Sequence, residues 1–159
     1  KHEKKFGTRR LKSSGIKKLL LVLDSNEYIF SFGPEVNPLP PVLIKTILDE
    51  YPLHSIRLPR LIADEVRRNF TLESYKEFIS FVTSFTNIDE NFIVPFETGF
   101  KYETLGLKPA DSFIAAYTDW VGADALVSEN RHFLKRTDNL PFAVVTAEEC
   151  LRLIALPKG

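Results

Sequence analysis

The chain has 159 residues, 44% of them hydrophobic and 26% charged, which suits one compact domain with a continuous core and leaves little room for a second. No run approaches the roughly 20 apolar residues that cross a bilayer, and no secretory signal pattern is present, so no membrane association and a cytoplasmic location are expected. The single cysteine, Cys150, excludes an internal disulfide and the Cys-based zinc patterns, and the histidines at 2, 54 and 132 share no metal-ligand spacing.

The formal net charge of zero hides an asymmetry. Residues 1–18 carry eight Lys and Arg against one Glu, a net of +7; the remainder carries 13 against 20, a net of −7. This stretch has no hydrophobic period and reads as a disordered basic tail, either plainly solvated or adding nonspecific affinity for phosphate. The chain contains no Met, which fits a start that has been trimmed or replaced. Residues 19–156 read as the domain.

Leu19-Leu20-Leu21-Val22-Leu23 is a continuous apolar run ending at Asp24, as in a strand buried on both faces of a parallel sheet. A short helix or turn follows to about Phe32, with Asp24-x-x-Glu27 resembling a capping box. Prolines 34, 38, 40 and 41 make 33–41 a loop. Val42, Leu43, Ile47 and Leu48 stand at helical spacing. Residues 54–58 are extended, and Pro59 fits the first turn of a helix to about Asn69. Thr71 N-caps the next helix, whose stripe is Leu72, Tyr75, Phe78, Ile79, Val82 and Phe85; that stripe is core or a dimer face. Phe92-Ile93-Val94 reads as a strand, and 99–106 is undecided between loop and short helix.

Pro109 starts a helix with Phe113, Ile114, Tyr117, Trp120 and Val121 as its buried stripe, closed by Gly122. Ala125-Leu126-Val127 and Ala143-Val144-Val145 are strands. Thr146-Ala147-Glu148-Glu149 is a capping box opening the last helix, on which Cys150 is a buried small hydrophobe. Strands alternating with helices predict a three-layer α/β/α domain around a mainly parallel sheet. In such sheets the site lies beyond the carboxyl ends of the strands, near Asp24 and Ser128-Glu129-Asn130.

Four positions could form an acidic site there: Asp24, Glu65, Asp111 and Asn130 with Glu129 beside it. Hard divalent cations take oxygen ligands, and converging carboxylates repel one another without one. Taken singly, each also has a structural role: Asp24 a helix cap, Glu65 a solvated helix residue, Asp111 a first-turn acid favoured by the helix dipole, Asn130 a turn residue.

The local sequences resemble the motifs of the PIN-domain family, in order. Leu21-Val22-Leu23-Asp24-Ser25-Asn26 is similar to the opening motif and Glu65-Val66-Arg67-Arg68 to the second. Ala110-Asp111-Ser112-Phe113-Ile114-Ala115-Ala116 resembles the third, and Ser128-Glu129-Asn130-Arg131-His132-Phe133 the fourth, where the family usually has Asp at the position of Asn130. The resemblance covers about residues 19–155. It implies a PIN-like nuclease fold and hydrolysis of RNA with Mg²⁺ or Mn²⁺, leaving 5′-phosphate and 3′-hydroxyl ends. It also implies a VapC-type toxin with an antitoxin partner; apart from the resemblance, the Pro-rich loop 33–41 and the aromatic-rich segment 70–86 are candidate docking or homodimer surfaces. Asp24, Glu65, Asp111 and Asn130 become the metal and catalytic residues, with Ser25, Asn26, Ser128, Glu129 and Arg131 supporting them or meeting substrate. Arg67, Arg68, Lys135 and Arg136 are further candidates for phosphate contact, and His132 is a turn or core-edge residue. The uncharged Asn130 keeps open an alternative: an RNA- or protein-binding module with weak or no turnover. A phosphate-accepting receiver is disfavoured, because the chain lacks its acidic pair and late strand-end lysine.

Overall fold

A computed structural model describes residues 18–34, 36–134 and 139–155. Residues 1–17, most of the basic stretch, lie outside the described residues, as does residue 156 at the end of the expected domain.

Strand β1 is Leu20–Leu23. Leu21, Val22 and Leu23 are wholly buried, each burial stabilising the fold by roughly 1.5–3 kcal/mol. Helix α1 (Ser25–Phe32) begins at once, N-capped by Asp24. Helix α2 (Leu39–Asp49) begins earlier than expected, with Pro40 and Pro41 in its first turn, where a missing N–H costs nothing. The proline-rich loop is correspondingly shorter. Strand β2 (Ser55–Pro59) runs into α3 (Arg60–Arg68), so Pro59 closes a strand and caps the helix rather than lying in its first turn. Helix α4 (Leu72–Phe85) is capped by Thr71, whose Oγ1 accepts from the Ser74 N–H at 3.1 Å.

The third strand differs from expectation. β3 is Ile88–Asp89, and 91–93 forms a 3₁₀ turn with Phe92 84% exposed. Asp89 Oδ2 accepts from Arg57 Nη2 at 2.8 Å and from the Tyr117 hydroxyl. This anchor pins the chain at the sheet edge, and it leaves the sheet before Phe92.

Helix α5 (Phe96–Glu103) takes in 99–103 of the undecided stretch and packs on α6 (Pro109–Trp120). The buried face of α6 carries Ile114, Ala115, Tyr117 and Thr118, while Trp120 in its last turn is 43% exposed, contrary to its expected place in the core. Gly122 takes φ +72° just past the helix, as a C-terminal glycine should. Strand β4 (Ala125–Val127), the single-turn helix α7 (Arg131–Leu134), strand β5 (Ala143–Val145) and helix α8 (Ala147–Ala155) complete the order. The capping box forms as expected: the Thr146 N–H donates to Glu149 Oε1 at 2.8 Å, and the Glu149 N–H to Thr146 Oγ1 at 3.1 Å.

The five strands pair in the order β3-β2-β1-β4-β5, every pair parallel. The chain winds outward from β1 to β3, then returns past β1 to β4 and β5. Right-handed crossovers therefore place α1–α4 on one face and α5 and α6 on the other, the expected three-layer α/β/α arrangement. Tyr28, Phe78 and Phe81 fill the first interface, with Tyr28 and Phe78 ring centroids 5.2 Å apart. This places the inner face of α4 in this chain's own core. Among the described residues, no helix is long and apolar enough to cross a membrane.

Candidate functional site

The winding reverses between β1 and β4, and a crevice opens where neighbouring crossovers leave in opposite directions. Asp24 ends β1 and Ser128 ends β4, so these two residues flank that point. The backbone zips the strands right up to it: the Asp24 N–H donates to the Val127 carbonyl at 2.8 Å, and the Ser128 N–H to the Val145 carbonyl at 2.9 Å.

Asp24 is buried, and both its oxygens are held. Oδ1 accepts from the Ser25 N–H at 2.8 Å, and Oδ2 from the Ser128 hydroxyl at 2.8 Å. Burial nonetheless raises its pKa above the usual carboxylate range. The bonds from Ser128 and Ser25 oppose that rise, and the charges of Glu65 and Asp111 add to it. Glu65 on α3 and Asp111 in the first turn of α6 therefore share the field of Asp24. The Asp111 carboxyl is also raised, chiefly by burial. Lys108 and His132 oppose the shift, Glu65 adds to it, and a hydrogen bond from the Asn130 side chain opposes it.

Asn130 sits inside a small network. Its N–H donates to Ser128 Oγ at 3.0 Å, and its Oδ1 accepts from the His132 N–H at 2.9 Å. With Oδ1 engaged, the side-chain NH₂ is the donor toward Asp111. Hydrogen bonds thus join Asp24, Ser128 and Asn130, and the Asn130 side chain lies near enough to Asp111 to lower its pKa. Glu129 Oε2 accepts from the Ala147 N–H at 3.0 Å at the start of α8.

Two solved structures share this architecture. VapBC2 from Rickettsia felis, bound to a DNA fragment from their promoter, superposes with TM-score 0.55 at 15% identity, over 79% of this chain and 98% of that one. FitAcB from Neisseria gonorrhoeae gives 0.54 at 15% identity, over 80% and 98%. The chain has a VapC-type PIN-domain fold. At this identity the likeness is one of fold. No protein-family model matches the chain, and no curated protein matches it in sequence.

On this PIN fold, Asp24, Glu65, Asp111 and Asn130 gather at one sheet end from four separate elements. The three carboxylates offer only oxygen donors, a set suited to Mg²⁺ or Mn²⁺ rather than to a soft metal, and the Asn130 Oδ1 is engaged by the His132 N–H. Glu65 and Asp111 raise the Asp24 carboxyl, and Glu65 raises that of Asp111, the electrostatic counterpart of a cation site. Among the described residues, no three acidic, His or Cys side chains stand close enough to clasp one ion directly. Mg²⁺ commonly keeps several of its waters, so carboxylates farther apart can hold it through them. The donor set thus fits the group that the resemblance implies.

Ser25 is buried with its N–H on Asp24, and Asn26 is half-buried beside it on α1. Arg67 and Arg68 end α3 and are exposed, with the Arg67 guanidinium 5.7 Å from the Tyr75 ring centroid. Lys135, Arg136 and the side chain of Arg131 lie outside the described residues.

Sequence reasoning overlooked Glu27. It makes no reciprocal capping box, because Asp24 Oδ1 is taken by the Ser25 N–H; instead Glu27 is wholly buried. Burial first, then contact with the Glu129 carboxyl and the charges of Glu129 and Asp24, push its pKa up to about 10. Protonated at neutral pH, it faces the Glu129 carboxylate as a neutral acid. The sequence signal was only its place three residues after Asp24, which a cap accounts for equally well.

Proposed function

We propose that the chain is a divalent-metal-dependent ribonuclease that hydrolyses RNA phosphodiester bonds. The observation that carries this reading is the gathering of Asp24, Glu65 and Asp111 at the reversal point of a PIN-like fold, where the charges of Glu65 and Asp111 act on the Asp24 carboxyl. Asp24 and Asp111 hold Mg²⁺ or Mn²⁺, and Glu65 binds it directly or through water. When bound, the cation offers Lewis acidity to a phosphate oxygen and acidifies water.

The chain's own residues set the geometry. Ser128 and the Ser25 amide lock the Asp24 carboxylate, and Asn130 orients Asp111. Lys108 places a positive charge beside Asp111, favouring approach of a substrate phosphate. The resemblance to VapC-type toxins adds an antitoxin partner to the same reading.

The test is cleavage of a labelled, partly structured RNA with Mg²⁺, Mn²⁺ or EDTA, beside Asp111→Asn. Metal-dependent cutting that disappears in the variant supports the assignment. Equal cutting by a folded Asp111→Asn protein sinks it.

A second reading draws on Asn130, which brings no charge and whose carbonyl is already engaged. In it the chain binds RNA or protein without turnover. Binding of the same RNA with no cutting in either metal selects that alternative.

A further inference from the structure

Helix α5 meets α6 through Tyr102, which is wholly buried with its hydroxyl on Asp119 Oδ2 at 2.8 Å. The opposite face of α5 carries Phe96, 84% exposed, and Phe100, 58% exposed, one turn apart. Their rings lie nearly parallel with centroids 6.4 Å apart and form one apolar ledge. Phe92, exposed like Phe96, stands in the 3₁₀ turn that leads into the helix. Aromatic rings clustered in water mark a surface that another molecule covers.

Gly99 lies between these two positions, in a helix interior, where glycine is a poor choice. A Cβ added there would meet nothing within 4 Å. The packing of this chain therefore does not call for glycine at 99. A second helix crossing at that point would, since two backbones approach closely only where no side chain separates them.

The charges around the ledge choose the occupant. Glu97, Lys101 and Glu103 are all exposed on α5. When two copies of one helix cross antiparallel about a two-fold axis, residues equidistant from the crossing meet. A crossing at Thr98–Gly99 sets Phe96 against Phe100 of the second copy and Glu97 against its Lys101, each pairing occurring twice. Lys101 Nζ lies 3.3 Å from Asp119 Oδ2 and is largely exposed, which leaves it donors for a further carboxylate. A nucleic acid fits this face poorly, because Glu97 and Glu103 repel phosphate and Lys101 is already paired. Aromatic side chains bury about 150–250 Å² each. The four rings of a two-fold contact therefore supply about half of the roughly 1,200 Å² at which stable interfaces begin, and Phe92 and the charged rim extend it.

We propose that the chain associates with a second copy of itself through α5, the two helices crossing antiparallel at Gly99. The contact uses the layer formed by α5 and α6 and none of the acids of the candidate site. It goes beyond the ribonuclease reading and stands whether or not the chain cuts RNA.

The experiment is sedimentation equilibrium of the full chain from about 1 to about 100 μM. The expected result is a species of twice the chain's mass that becomes monomeric in Phe100→Ser and in Gly99→Leu. Both positions are open to solvent in the single chain, and leucine favours a helix over glycine. The variants should therefore fold, which circular dichroism and melting check. Glu97→Lys sets like charges at both ends of the contact and should weaken association about 10-fold. Adding Lys101→Glu to it restores opposite charges and should recover most of that loss. A wild-type chain that stays monomeric at the highest concentration overturns the inference. So does a dimer that Phe100→Ser and Gly99→Leu leave intact, which would place the contact on another face. A double charge variant no better than Glu97→Lys alone overturns the antiparallel crossing. A monomeric wild type whose binding of the labelled test RNA weakens in Phe100→Ser overturns the inference and gives the face to RNA.

Discussion

The Ser128 hydroxyl donates to Asp24 Oδ2 at 2.8 Å, joining the ends of adjacent strands across 104 residues of sequence. The same oxygen accepts the Asn130 N–H at 3.0 Å. One hydroxyl therefore holds an acid of the site and shapes the turn that carries Asn130. Ser128→Ala removes both bonds at a buried, charged acceptor, which costs about 1.5–3 kcal/mol of stability. It also lowers Mn²⁺ affinity about 10- to 100-fold, the usual cost of losing such a support. Urea unfolding and Mn²⁺ titration of the variant check the two effects separately.

Metal should stabilise the folded chain, because the coupled acids that repel one another in its absence are present only when it is folded. At a Mn²⁺ concentration one hundred times the dissociation constant, the gain is about 2.7 kcal/mol. Asp24→Asn keeps an acceptor for the Ser25 N–H and should fold, yet it should show almost no Mn²⁺-dependent rise in melting temperature. A thermal shift as large as the wild type's would remove Asp24 from the cation site.

Burial, Glu129 and Asp24 together raise Glu27 to about 10 from its ordinary 4.5. Between those values the folded chain holds a proton that the unfolded chain has released. This stabilisation is complete below about pH 4.5 and is lost as pH rises through the folded value. Asp24 and Asp111, also raised, act with the same sign. The metal-free chain should therefore lose stability as pH rises from about 5 to about 9. Glu27→Gln, permanently neutral, should flatten much of that slope and be the more stable protein at the alkaline end. Parallel pH profiles for wild type and variant in EDTA would contradict the assignment.

The Tyr117 hydroxyl and Arg57 meet on Asp89 Oδ2, with Arg57 Nη2 at 2.8 Å. Tyr117→Phe removes one donor from a buried ring and leaves the half-exposed arginine. The expected loss is about 1–2 kcal/mol, read by chemical unfolding. Mn²⁺ affinity should hold, since Asp89 lies at the outer edge of the sheet and takes no part in the site.

Local patterns were legible where one element decides them. The apolar run before Asp24, the Thr71 cap, the Thr146–Glu149 box and the C-terminal Gly122 all form as the sequence predicts, because each depends on residues within one turn. The parallel α/β/α plan was legible too, since buried strands alternating with helices admit few arrangements. Phe92-Ile93-Val94 misled, because β3 ends where Asp89 meets Arg57 and Tyr117, residues far away in sequence. Trp120 misled because helical spacing gives a face but not how far the neighbouring helix extends to cover it.

The amino-acid sequence by itself determined which acids follow which strand and helix, and hence that Asp24, Glu65, Asp111 and Asn130 belong to elements able to meet at one sheet end. Only the tertiary structure decided how those side chains are used. It buried Glu27 against Glu129 and turned the Asn130 amide toward Asp111, because both depend on how α1, β4 and α8 pack together. Burial and hydrogen-bond direction arise between elements, and no single element's pattern carries them.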